Sequence, residues 1–331
     1  MKVLVIRFSS IGDIVLTTPV IRALRHQVPD VQVHVLTKLQ FHQVLEANPY
    51  IHKIHLLHNS WEQLLHELKL EEFDYIIDLH HNLRTARLKR ELKVPATSFN
   101  KLNVQKWLYT NFKINMLPPV HIVDRYFETV RHLGVQNDHK GLDYFIPEGK
   151  GVSFTDLPYA HAAGYIGVVV GAAHATKCLP VDKLQELCAL IQHPLVLLGG
   201  PGDAATGAAV AAVDPIKIYN ACGKFSLHES ADLVRKAKLV ITHDTGLMHI
   251  AAAFKKPILS IWGNTVPAFG MTPYYGNNPV PSQIFEVQGL RCRPCSKIGY
   301  NQCPRKHFRC MRRQDLQQIA RTAEAWARQF R

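Results

Sequence analysis

No apolar run in the chain approaches the roughly 20 residues that a membrane-spanning helix requires, so no spanning segment is expected. The N-terminus, MKVLVIRFSS, has one lysine, a short apolar run and then Arg7, with no small-residue cleavage site. It reads as a first strand and not as a signal peptide, and a cytoplasmic location is expected. Neither the glycine spacing GxGxxG nor a GK[ST] phosphate loop is present, which disfavours a Rossmann dehydrogenase and a Walker ATPase. There is no long block of like charge, no short-period repeat and no low-complexity tract. An aromatic–basic recognition motif is also missing, so no nucleic-acid partner is expected despite a basic balance.

What remains is an ordinary globular composition with a marked positive charge. The chain has 331 residues, 47% hydrophobic and 20% charged, a length that suits two domains. Its 39 Lys and Arg against 26 Asp and Glu give a net charge of +13, which favours anionic partners. Basic residues are dense over Arg84–Lys93 and Arg305–Arg313. Each stretch also reads simply as a solvated helix face.

Short apolar runs alternate with amphipathic segments along the chain. Strands are predicted at Lys2–Arg7, Val31–Leu36, Ile54–Leu57 and Tyr75–Leu79, with helices over Asp13–Gln27, Trp61–Leu70 and His121–Leu133. Residues 136–163, rich in Gly, Asp and Pro, read as a linker. The β-α order then restarts with strands at Tyr165–Val170, Leu195–Leu198, Ile216–Tyr219, Leu239–Thr242 and Ile258–Trp262, and with helices over Val181–Ile191 and Leu227–Lys236. That order predicts an α/β protein of two parallel sheets facing a cleft.

Four loops carry candidate chemistry. In LVITHDTGLMHIAAA a buried strand turns at His243-Asp244-Thr245-Gly246 into a helix N-terminus, whose unpaired N–H groups suit an anion. Asp244 would repel a phosphate and suits a hydroxyl or a cap, while Thr245 and Gly246 suit the phosphate. The first turn, Ser9-Ser10-Ile11-Gly12-Asp13, lies where open α/β sheets bind ligands. Asp13 there is either a helix N-cap or a general base. The third loop, GAAHATKCLP, offers backbone access and the point charge of Lys177, unless Lys177 is merely a surface lysine. In the fourth, Ser226 and Glu229 have capping-box spacing.

The ordered set VLVIRFSSIGDIVLTTPVIRALR, DYIIDLHHNLRTARL, GAAHATKCLP, CGKFSLHESADLVRKAKLVITHDTGLMHIAAAFKKPILSIWGNT and CRPC…CPRKHFRCM spans nearly the whole chain. It resembles the heptosyltransferases of glycosyltransferase family 9, which build the inner core of lipopolysaccharide. The resemblance implies a GT-B fold, with an acceptor domain over 1–150 and an ADP-heptose domain over 151–331. It also implies an inverting transfer that needs no metal or other cofactor, with Asp13 as the base. Lys177, Thr245 and Gly246 match phosphate-binding positions, and Asp244 and His249 match motif positions on the donor side. Glu229 matches a position near the nucleoside ribose. Ser10, Gly12 and Thr176 are taken with these as donor-side residues.

By the same resemblance, Arg84, Arg87 and Lys89 face a lipid A–Kdo or heptosylated core acceptor. His80-His81-Asn82 stands where related chains often have Gly or Gln, and is read as loop, not as a metal pair. An anionic lipid acceptor implies peripheral, salt-sensitive attachment to the inner face of the inner membrane. The same fold acting on another nucleotide-diphosphate sugar, or a catalytically silent sensor, is the alternative.

Cys292, Cys295, Cys303 and Cys310 follow the spacing C-x2-C-x7-C-x6-C. They suit a structural zinc or iron–sulfur site, or a loop of reduced thiols placed by packing alone.

Overall fold

The segment Lys2–Ile6 is apolar at four successive positions, and it becomes the central strand of a fully parallel sheet, buried on both faces. The structure, a computed structural model, describes residues 1–57 and 60–330. The first sheet comprises β1 (Lys2–Ile6), β2 (Gln32–Lys38), β3 (Lys53–Leu57), β4 (Tyr75–Asp78) and β5 (Ala96–Ser98), in the order β3-β2-β1-β4-β5. The second comprises β6 (Ile166–Val169), β7 (Leu195–Leu198), β8 (Ile218–Asn220), β9 (Leu239–His243), β10 (Ile258–Trp262) and β11 (Ser282–Glu286), in the order β11-β10-β9-β6-β7-β8. Every neighbouring pair in both sheets is parallel. The chain therefore has the two-sheet GT-B architecture, with loops at the carboxyl ends of both sheets available for a site.

Capping sets several helices where local sequence demands them. Ser60 Oγ accepts from Gln63 N at 3.3 Å and starts the helix Trp61–Leu70. Asn82 and Thr85 exchange backbone and side-chain bonds at 2.9 Å to start the helix Leu83–Leu92. His80 and His81 precede that cap in the loop, with their amides bonded to Asp78.

The single helix expected over Asp13–Gln27 is instead two, Ile11–Val15 and Thr18–Gln27. Pro19 has no N–H to give the Val15 carbonyl, which the Thr18 hydroxyl takes at 2.8 Å, and Thr17 does the same for Ile14 at 2.7 Å. The helix expected over His121–Leu133 also shortens, to Ile122–Phe127 with a separate turn at Arg131–Leu133. Residues 136–153 contain neither helix nor strand, yet bonds to both domains anchor them. Arg22, 3% exposed, binds Asp138 at 2.8 Å, the Gly141 carbonyl at 2.9 Å, and Asp143. On the far side Val152 N donates to Asp232 at 2.8 Å.

One apolar core runs through both halves, joining Val3, Ile14 and Leu24 to Met248, Ile250 and Ala251. Its junction is the contact of the helix Ile11–Val15 with the helix Gly246–Ala253. A side chain at Gly246 would stand 2.9 Å from Ile11 Cβ, so only glycine permits this approach. The C-terminal helix Leu316–Gln329, capped by Asp315, closes the second domain's other core through Leu316, Ile319 and Ala323.

Candidate active site

At the junction of the two helices lies a cleft of about 530 Å³, walled by Ser10, Gly12 and Asp13 from one domain and Lys177, Asp244, Thr245, Gly246 and His249 from the other. A groove on the first domain is larger, about 680 Å³. Volume therefore does not identify the site; the convergence of opposite charges and helix ends does.

Asp13 sits in the first helical turn, and the cap is Ser10, not Asp13. Ser10 Oγ donates to Asp13 Oδ2 at 2.7 Å, and the other oxygen pairs with Arg7 Nη2 at 2.6 Å. Arg7 is itself fixed by the Ser9 carbonyl at 2.7 Å and the Tyr126 hydroxyl at 3.1 Å. Burial raises the Asp13 carboxyl pKa, but the Arg7 charge and the Ser10 donors outweigh it, holding the group below its ordinary range. With 22% of its side chain exposed, Asp13 is ionised and within reach of a substrate.

Opposite stands the strand–turn–helix of β9. Thr245 is the N-cap, but its side chain makes no capping bond, so the first-turn amides of the helix Gly246–Ala253 lack side-chain partners there. Asp244 lines the cleft beside that helix end, but its charge is paired. Its Oδ2 takes Lys177 Nζ at 2.7 Å and the Thr265 hydroxyl at 3.0 Å, which answers why an acid sits beside a phosphate-type loop. It orients the lysine. His243 supports the same loop from below, accepting Leu179 N at 3.0 Å. Burial pushes His249 down to about 4, so its imidazole is neutral, and it lies so near Gly12 that a Cβ there would be 2.6 Å from its ring.

Three expected site residues have partners within the protein. Thr176 is buried, with its hydroxyl bonded to the Tyr300 backbone at 2.8 and 3.0 Å, and it supports Lys177 without lining the cleft. Glu229 turns back into the capping box, accepting Ser226 N at 2.7 Å. Lys89 pairs with fully buried Asp78 at 2.9 Å, on a different face from Arg84 and Arg87. Those two arginines line the larger groove with Lys38, Leu39 and Trp61, and the Arg87 guanidinium stacks 4.7 Å from the Trp61 ring.

Two charged residues of the site carry no role in the sequence reading. Arg7, buried against Asp13, ends the first predicted strand and has no motif of its own. Asp203 follows Gly199-Gly200-Pro201-Gly202; it accepts Gly200 N at 2.9 Å and lies against the Gly171 backbone on the cleft wall. A carboxylate there suits sugar hydroxyls, and the glycine run before it was the available signal.

All four tail cysteines are free, and Cys292 Sγ lies 3.9 Å from His307 Nε2. Cys295 and Cys310 each lie within the electrostatic reach of the other thiols, while burial pushes Cys310 up to about 12. Among the described residues, only His34, His55 and Glu71 bring three possible ligand atoms within 4.8 Å. Glu71 is already neutralised by Lys53 at 2.5 Å and Lys2 at 3.2 Å, so that trio is an ion-pair network. Among the described residues, no helix is long and apolar enough to cross a membrane.

Residues 61–299 match glycosyltransferase family 9 (heptosyltransferase). Lipopolysaccharide heptosyltransferase 1 of Pseudomonas aeruginosa is 26% identical over 96% of this chain and 93% of its own length. The structure of E. coli ADP-heptose lipopolysaccharide heptosyltransferase II superposes with a TM-score of 0.74 at 19% identity, covering 99% of both chains. An E. coli heptosyltransferase solved with ADP gives 0.70 at 20% identity, over 98% of this chain and all of that one (100%). With the family match extending over most of the chain and the same fold in these relatives, the protein is a glycosyltransferase and belongs to glycosyltransferase family 9, the heptosyltransferase family.

Proposed function

We propose that the protein transfers heptose from ADP-heptose to a Kdo or heptose of the lipopolysaccharide inner core, with inversion at the anomeric carbon. The observation that carries this is the ionised Asp13 facing the Lys177–Asp244 pair and a helix N-terminus across one cleft. In the reaction the acceptor oxygen attacks the anomeric carbon as the bond to ADP breaks. Its proton passes to Asp13, and ADP leaves as the anion. Lys177, the Thr245 hydroxyl and the Gly246 and Leu247 amides meet the developing diphosphate charge, so this step needs no metal. Asp203 and neutral His249 are left for hydroxyls of the donor. The ADP-heptose named for the E. coli relative supports this donor.

The groove of Arg84 and Arg87 suits more distant anionic groups of the acceptor. Peripheral attachment to an anionic inner membrane agrees with the charge of +13. Val104, Trp107, Phe112, Ile114 and Met116 are exposed in one segment alongside Lys113, the apolar-and-basic combination that interfacial segments use.

A donor screen with the full chain tests the assignment. Turnover is expected with ADP-heptose and not with UDP- or GDP-sugars; a preference for either of the latter overturns it.

The four thiols suit a structural zinc or iron–sulfur group that fastens the loop between β11 and the helix Arg309–Arg312. That loop is long, without helix or strand, and it holds Thr176 through Tyr300 and the Asn264 carbonyl through Cys295 N. Binding would draw the sulfurs closer than they stand here. Metal analysis of protein purified without chelator is expected to find about one zinc, or bound iron, per chain. Cys295→Ser should remove it and lower the melting temperature. Metal-free protein of unchanged stability would leave a loop of packed thiols.

A further inference from the structure

Strand β10 ends at Trp262, and the next residues, Gly263-Asn264-Thr265, touch both loops that carry the Lys177–Asp244 pair. Gly263 packs so closely on the Lys177 loop that a Cβ there would stand 2.9 Å from the Thr176 carbonyl oxygen. Thr265, 1% exposed, donates its hydroxyl to Asp244 Oδ2 at 3.0 Å. That is the oxygen that takes Lys177 Nζ at 2.7 Å.

Past a strand end the backbone carbonyls need other donors, and Arg293 supplies them. Its guanidinium donates Nε to the Gly263 carbonyl and Nη2 to the Thr265 carbonyl at 2.9 Å. The same Nη2 pairs with Glu286 at 2.7 Å, and only 7% of the side chain is exposed. Cys295 N donates to the intervening Asn264 carbonyl at 3.2 Å. Arg293 stands between Cys292 and Cys295 and does not line the cleft, so any effect it has on the donor passes through other residues.

A lysine carries its charge on a flexible stem, so the place of Lys177 Nζ depends on what holds its counter-ion. Among the described residues, the Thr265 hydroxyl is the one side-chain donor to the Asp244 carboxylate besides Lys177. We infer that Thr265 and Arg293 are positioning residues of the diphosphate site: Arg293 fixes the Gly263–Thr265 segment, and the Thr265 hydroxyl sets the Asp244 carboxylate that aims Lys177. The inference rests on the transfer reading above and extends its donor site to a residue of the cysteine-bearing loop. Lysine could not replace Arg293, because one ammonium does not span two carbonyls and a carboxylate as the planar fork does.

Binding of inorganic pyrophosphate and of ADP tests this, with Lys177→Met as the reference. Pyrophosphate has no nucleoside, so it reads the Lys177–Asp244 pair whatever nucleotide the donor carries. Thr265→Val keeps the side chain's shape and removes the hydroxyl. It should weaken both ligands by about tenfold, the scale of a lost hydrogen bond to a charged group, and Thr265→Ser should restore them. In an Asp244→Asn background Thr265→Val should cost nothing further, because Thr265 acts through that carboxylate. Arg293→Met should weaken the same two ligands, and Arg293→Lys should not rescue them. Adenosine, which has no phosphate, should bind every variant as it binds the wild type; a general loss of folded protein would lower all three ligands alike. In turnover the change should fall on the donor KM and leave the acceptor KM unmoved. Two results overturn the positioning role: pyrophosphate weakened by Lys177→Met but not by Thr265→Val, or adenosine weakened as much as ADP in Thr265→Val and Arg293→Met. Pyrophosphate binding untouched by Lys177→Met is a different failure, that of the diphosphate site itself, and it takes the positioning role with it.

Discussion

Asp13→Asn is expected to lower kcat by about 10²–10⁴-fold, the usual contribution of a positioned base, while ADP affinity stays within about twofold. Asparagine keeps the shape and can still accept from Ser10, but it cannot take the acceptor's proton. The variant also removes the counter-ion of buried Arg7, whose bonds to Ser9, Leu79 and Tyr126 remain to hold it. Some loss of stability is therefore expected, and ADP binding serves as the control for folding. The pH dependence adds a second check. Because Arg7 and Ser10 outweigh burial and hold Asp13 below the ordinary carboxylate range, the acid limb of kcat/KM should fall below that range too. Above it Asp13 is ionised and activity should not depend on its titration. Wild-type turnover in Asp13→Asn would remove it from the base role.

Lys177→Met should cost about 10²–10³-fold in kcat/KM for the donor, the scale seen when one fixed donor to a developing anion is lost. The reason extends beyond the missing charge. Asp244, 9% exposed, would lose its 2.7 Å partner and would face the diphosphate as an uncompensated carboxylate. Asp244→Asn alone is expected to be milder, because Lys177 keeps its charge and loses only its orientation. Combined with Lys177→Met, Asp244→Asn should recover part of the lost donor affinity, since the repulsion goes with it. That non-additivity distinguishes an orienting pair from two independent donor contacts. Donor titration of the four proteins gives the coupling; strictly additive losses would dissolve the pair.

Patterns that depend only on near neighbours in the chain are legible without coordinates. The helix Trp61–Leu70 and the strand Leu195–Leu198 match their expected limits because a cap or an unbroken apolar run fixes each one locally. The split at Pro19 was open to the same reasoning, since a proline cannot serve the carbonyl four residues back. Thr176, Glu229 and Lys89 show the limit. Each lies in a motif that suggests ligand contact, and each has a partner within the protein: the Ser226 amide, which the capping-box spacing of Glu229 already indicated, and the Tyr300 backbone and buried Asp78, which spacing does not reveal. Lys101, Lys106 and Arg125 show the converse. They are scattered basic residues in the sequence, and only the folded chain shows that none of them has an ion-pair partner among the described residues.

The sequence by itself determined the two parallel sheets, the strand–turn–helix of His243–Gly246, the four-cysteine spacing and the family resemblance, because each rests on periodicity, local turn chemistry or motif order. Only the tertiary structure decided that Arg7 neutralises Asp13 and that Asp244 aims Lys177. It also decided that the Gly246 helix meets the Ile11 helix at a glycine contact. Those outcomes depend on which side chain of the correct charge lies within about 3 Å, and distance between remote segments is a property of the folded chain.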